Sequence, residues 1–157
     1  MAVTRSRYRT ASGAGTLVAF LLVLIFGSPW YVDWVNSGNR GLFLETLAWP
    51  AWNFDTDQSV RDLLAADLKA ILLVLFTAVF VTLLVGAQLA SARGTISAIL
   101  TGWAAYIFAA ALAALITAFL LTDASFGFAV VNAAGGAGYG LIVGWIVGLA
   151  SMAGRRP

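Results

Sequence analysis

The sequence predicts an all-α, polytopic integral membrane protein: a bundle of four transmembrane helices with one long outside loop. Three observations carry that expectation. First, 61% of the 157 residues are hydrophobic and 10% are charged, whereas soluble domains are about half apolar and a quarter charged. Second, residues 10–32, 70–90, 95–122 and 124–154 hold no charge, and each stretch reaches the roughly 20 residues that cross about 30 Å of hydrocarbon. Third, the charges segregate by sign. Arg5, Arg7, Arg9, Arg93, Arg155 and Arg156 fall on one side of a four-span layout, and all seven acidic residues fall on the other. The positive-inside rule then places both termini in the cytoplasm and residues 33–66 outside the cell membrane. The chain reads as a single membrane domain over residues 1–157, with spans at about 13–32, 67–92, 95–121 and 126–152.

The first span follows a basic start. That start and the apolar run at 17–26 fit a signal peptide, but Ile25 and Gly27 make a poor small-x-small cleavage site. Apolar character also continues through Trp30, Tyr31 and Val32, so an uncleaved span is expected. Pro29 should kink or stop this helix, because proline removes a backbone donor and clashes with the preceding turn. Trp30, Tyr31 and Trp34 then fall at headgroup depth, where amphipathic rings are favoured.

The outside loop opens on a turn signal, Asn-Ser-Gly-Asn-Arg-Gly at 36–41. Residues 42–54, LFLETLAWPAWNF, are too apolar for a free loop. A short interfacial helix broken at Pro50 would dip Trp49, Trp52 and Phe54 into the outer leaflet. Equally, these rings could pack on the outer ends of the spans or on a partner.

Asp55 or Asp57 should cap the second helix and complement the positive end of its dipole. Val60, Leu63, Leu64 and Leu68 recur at helical spacing opposite Arg61, Asp62 and Lys69, which predicts an apolar face. Asp57 and Arg61 stand in the favourable i, i+4 order. Short turns at 91–94 and 122–125 make spans two, three and four antiparallel neighbours.

Span four raises the sharpest question. Gly136, Gly140, Gly144 and Gly148 recur every fourth residue, and Asn132 extends their row by one turn. Each glycine costs a helix about 1 kcal/mol relative to alanine. In lipid, helices associate through close contact, and small residues let backbones approach. The row therefore predicts a packing groove about 18 Å long, with the Asn132 amide hydrogen-bonding across it. Span three offers Ala98, Gly102, Ala110, Ala114 and Ala118 as a counter-surface, with Ala105, Ala109 and Ala113 alongside. The groove could face spans three or one, or another protein.

Chemistry is sparse. The chain has no cysteine or histidine, and spans one, three and four hold no ionisable residue in their interiors. Lys69 sits at the outer edge of span two, where it can snorkel. Intramembrane ionisable groups mark proton relays and ion-coupled transport, so their absence argues against both, and against an enzyme. No catalytic, cofactor-binding or metal-binding residue is assigned. Asn53, Asp55, Asp57 and Ser59 alternate like calcium-loop ligands, but Val60 replaces the glycine of the sharp turn and Ala66 the bidentate glutamate. Gly-Ala-Gly-Tyr-Gly at 136–140 resembles a potassium-channel filter, yet lies inside a continuous spanning run rather than a re-entrant loop.

The expectation is a non-catalytic membrane subunit or accessory protein, acting through helix packing and a Trp-rich outside loop. The alternative is an oligomeric channel or transporter for a small solute, lined by Thr77, Thr82, Gln88, Thr117 and Asn132. Expected partners are membrane lipid and other membrane subunits or a second copy, not nucleic acid. The alanine- and arginine-rich, lysine-poor composition points to a bacterial source. In layout alone the chain is similar to claudin-like four-span proteins; their Trp…Gly-Leu-Trp…Cys…Cys signature is absent.

Overall fold

Within hydrocarbon, backbone polar groups have only one another as partners, so apolar stretches of this length fold as helices. A computed structural model describes residues 2–37, 50–52, 59–90, 94–121 and 125–154, and the secondary structure among them is helical. Helix α1 spans Ala2–Phe26, α2 Pro29–Asn36, α3 Val60–Ala90, α4 Thr95–Ala118 and α5 Phe126–Ala153. Three stretches are long and apolar enough to cross a membrane: Val60–Leu84, Thr95–Ala118 and Phe126–Ala153. The apolar part of α1, Ala11–Phe26, is shorter. Helix α1 begins well before the expected start at residue 13, since its arginine-bearing first turns contain no helix breaker.

The helix boundaries follow local chemistry. Ser28 accepts from the Tyr31 N–H at 3.3 Å, capping a helix that has Pro29 in its first position, where the missing N–H costs nothing. Pro29 thus opens a new helix after α1 has stopped at Phe26. Ser59 caps α3: its hydroxyl accepts from the Asp62 N–H at 3.2 Å and donates to the Asp62 carboxylate at 2.7 Å. The expected caps, Asp55 and Asp57, lie outside the described residues, as do Trp49, Asn53, Phe54, Arg93, Asp123, Arg155 and Arg156. Ser125 caps α5, accepting from the Phe128 N–H at 3.1 Å. At the end of α4, the Arg61 guanidinium donates to the Leu120 carbonyl, placing a cation where the helix dipole is negative.

The four long helices close a ring. Helix α1 packs on α3 and α5, α3 packs on α4, and α4 packs most extensively on α5. Small residues make up much of the inside. The core holds Ala19, Val23, Ala70, Leu73, Val81 and Val147, with Ala98, Ala105, Ala109, Ala110, Ala113, Ala114 and Ala118 of α4. The outer surface carries Leu17, Leu75, Leu83, Leu100, Phe108 and Leu141. The apolar row expected on α3 is divided between the surface and the interior, with Leu63 and Leu68 half-buried. Val60 and Leu64 are exposed, whereas Ala65 and Ala70 are buried and Lys69 is half-buried. A large apolar side chain loses nothing by facing lipid, so many positions inside are free for small residues that allow close approach.

Candidate functional site

The candidate site is the α4–α5 contact, and the glycine row decides its geometry. Gly136, Gly140, Gly144 and Gly148 are all buried. A Cβ at Gly136 would lie 2.5 Å from the Ala110 carbonyl oxygen, and one at Gly140 would lie 2.7 Å from the Ile107 Cα. One at Gly148 would strike the Ile99 carbonyl oxygen. At these three positions the obstacle is backbone, which cannot swing aside. Gly144 differs: its Cβ would meet side chains, at 3.0 Å from both the Trp103 and Tyr106 rings. The row on α5 therefore lies against Ala110, Ile107, Trp103 and Ile99 in descending order, as an antiparallel pair requires.

Gly144 makes room for two large side chains of α4, Trp103 and Tyr106. Trp103 reaches over the gap at Gly144, and its Nε1 donates to the Leu141 carbonyl at 3.0 Å. Tyr106 and Tyr139 are fully buried, with ring centroids 6.1 Å apart and hydroxyls 3.4 Å apart. Two phenols meeting inside an apolar bundle shield each other's polar atoms from hydrocarbon. Sequence reasoning missed both features. The signal was available in the antiparallel register, which brings the only mid-span tyrosines of the two helices to one level.

Asn132 behaves differently from expectation. Its amide donates to the Phe128 carbonyl of its own helix at 3.0 Å. The short side chain reaches the carbonyl one turn back more easily than a neighbouring helix. The hydrogen bonds that cross the contact come from Trp103 and from the Tyr106–Tyr139 pair instead.

At the far end of the row, α1 joins the contact. A Cβ at Gly102 would lie 2.8 Å from the Gly148 Cα, and one at Gly15 would lie 2.5 Å from the Ser151 Oγ. Ser151 is 1% exposed, and its hydroxyl has no hydrogen-bond partner among the described residues. Thr77 and Thr117, also buried, donate to Leu73 at 2.7 Å and Ala113 at 2.9 Å on their own helices.

Comparison of the chain with protein-family models, with curated proteins and with solved structures finds no match. The reading of the site therefore rests on its own geometry.

The aromatic loop residues divide. Trp30 is 76% exposed and Trp34 is 49% exposed, on a short helix where Tyr31 packs edge-on against Phe26. Trp52 instead turns inward: its backbone N–H donates to the Gly27 carbonyl at 2.9 Å, and its ring packs against the core. Pro50 is buried beside it, its carbonyl 2.5 Å from where a Gly27 Cβ would stand. Residues 50–52 thus fill the break between α1 and α2, with the Trp52 Nε1 buried and without a hydrogen-bond partner among the described residues.

Proposed function

We propose that the chain is a non-catalytic integral membrane subunit or accessory protein. It crosses the bilayer four times, with α1 as the first crossing, and keeps both termini in the cytoplasm. The observation that carries this reading is the economy of the core. Its buried threonine hydroxyls are committed to their own helices, and its largest polar side chains, Tyr106 and Tyr139, face each other. Such an interior supports packing rather than passage. Since α4 occupies the glycine row, the surface for a partner is the end of the bundle that presents Trp30 and Trp34, together with the large apolar residues of the outer belt.

The decisive experiment purifies the tagged chain from native membranes in mild detergent, beside a Trp30→Ala/Trp34→Ala variant. The expected result is a stoichiometric membrane partner that the variant loses while remaining monodisperse. A chain that is strictly monomeric and brings nothing with it overturns the reading. Flux of a small solute through liposomes containing the chain alone would transfer the assignment to a channel.

A further inference from the structure

At the end of the bundle where α3 begins and α4 stops, a crevice of about 380 Å³ opens on the surface. It is lined by Arg61, Leu64, Asp67, Leu68 and Ile71 of α3 and by Leu120. Its volume falls within the roughly 300–1,000 Å³ of small-molecule sites. At about 100° of rotation per residue, the five α3 residues share one face about 120° wide. Arg61 marks one edge of that face and Asp67 the other, with Leu64, Leu68 and Ile71 between them. Leu64 and Ile71 are 62% and 52% exposed, as side chains that face lipid are. The crevice therefore sets two charges of opposite sign beside an apolar floor.

Each charge is placed for a ligand. The apolar stretch of α4 ends at Ala118, and the Arg61 guanidinium donates through Nε to the Leu120 carbonyl just beyond it. That bond holds the cation at the hydrocarbon boundary. It leaves the two Nη groups of an exposed side chain, and such a fork takes a phosphate through two parallel hydrogen bonds. Asp67 is half-buried and already interacts with another group. A carboxylate has roughly four acceptor sites, so it can take an ammonium as well. Acyl chain, phosphate and primary ammonium occur together, with no further charge, in phosphatidylethanolamine. A purely anionic headgroup would meet Arg61 but be repelled by Asp67. Phosphatidylcholine carries the positive charge, but its methylated nitrogen has no hydrogen to donate.

We propose that this crevice binds one phosphatidylethanolamine molecule, its phosphate on Arg61, its ammonium on Asp67 and an acyl chain along Leu64, Leu68 and Ile71. The proposal rests on the reading of the chain as an integral membrane protein. Arg61 supplies affinity for any phospholipid phosphate, and Asp67 selects among headgroups. Loss of selectivity therefore separates this site from a helix end that is merely loosened, which would weaken every lipid alike.

The test is native mass spectrometry of the full chain in mild detergent, titrated with the dioleoyl forms of phosphatidylethanolamine, phosphatidylcholine and phosphatidylglycerol. A single phosphatidylethanolamine adduct is expected, favoured about tenfold over the other two, as one charge-assisted hydrogen bond provides. Asp67→Asn should erase that preference while leaving phosphatidylcholine binding unchanged. Arg61→Gln should weaken all three lipids about tenfold. Unaltered helical circular dichroism confirms that each variant folds; should Arg61→Gln unfold, Asp67→Asn decides alone. Equal binding of the three lipids overturns the proposal, as does a preference that survives Asp67→Asn, or full binding by a folded Arg61→Gln. A disulfide-linked dimer formed by Leu64→Cys, undiminished by phosphatidylethanolamine, would assign the crevice to a second copy instead. Alkaline carbonate extraction keeps the two readings apart: release of the chain defeats the membrane assignment, whereas retention without lipid preference defeats the lipid site alone.

Discussion

Single atoms decide how α5 meets α4. An alanine at Gly148 or Gly136 places its methyl against a carbonyl of α4, whereas an alanine at Gly144 meets only the rims of Trp103 and Tyr106. Overpacking of a tight contact costs about 1–3 kcal/mol. Gly148→Ala and Gly136→Ala should therefore lower the thermal midpoint in detergent clearly more than Gly144→Ala does. Gly13→Ala should do the reverse and stabilise by up to about 1 kcal/mol, because nothing opposes its methyl and helix propensity improves. The tyrosine pair gives a second test at this scale. Tyr106→Phe or Tyr139→Phe leaves one phenol facing a ring, at a cost near the roughly 0.6–1.7 kcal/mol of interhelical hydrogen bonds in membranes. The double variant should cost less than the two single changes together, as measured by a double-mutant cycle in thermal unfolding.

Helix ends depend on short-range hydrogen bonds, and here the sequence was only partly legible. Ser59-Val60-Arg61-Asp62 has the Ser-x-x-acid spacing of a capping box, yet Asp55 and Asp57 drew the expectation because acidic caps also suit the dipole. Ser59→Ala should cost about 1 kcal/mol, read as earlier fraying of α3 by hydrogen exchange at residues 60–63. Arg61→Gln should loosen the α4 terminus at Leu120 while leaving the α4–α5 contact unchanged. The helices themselves were legible because uncharged length in lipid admits little else. The glycine row was legible because its period survives in the sequence. The partner of that row was legible in part: Ala110 and Ala114 of the expected counter-surface meet Gly136 and Gly102 meets Gly148, whereas Ile99, Trp103 and Ile107 reach the row through the register between two helices. Which part of the α3 apolar row is buried was not legible, because large apolar residues are equally at home against lipid; alanines fill much of the inside, and many leucines face out.

At the scale of the whole bundle, the ring α1–α3–α4–α5 joins its first and last helices directly. The contact is made where Gly15 meets Ser151, at a level that Gly102 also reaches. A bundle closed this way leaves its outer belt and its ends exposed, which is why the proposed partner surface is Trp30 and Trp34 rather than the glycines. The meeting of Gly15 and Ser151 also has a covalent consequence. A Cβ built at Gly15 stands 3.7 Å from the Ser151 Cβ, and disulfides bridge Cβ atoms about 3.8 Å apart. The native chain contains no cysteine, so a Gly15→Cys/Ser151→Cys variant would hold the only two thiols present. Oxidation should tie the amino-terminal helix to the carboxy-terminal one, giving a faster-migrating band in denaturing gels that reductant abolishes. The chain would then be a covalent loop that runs through every helix of the ring.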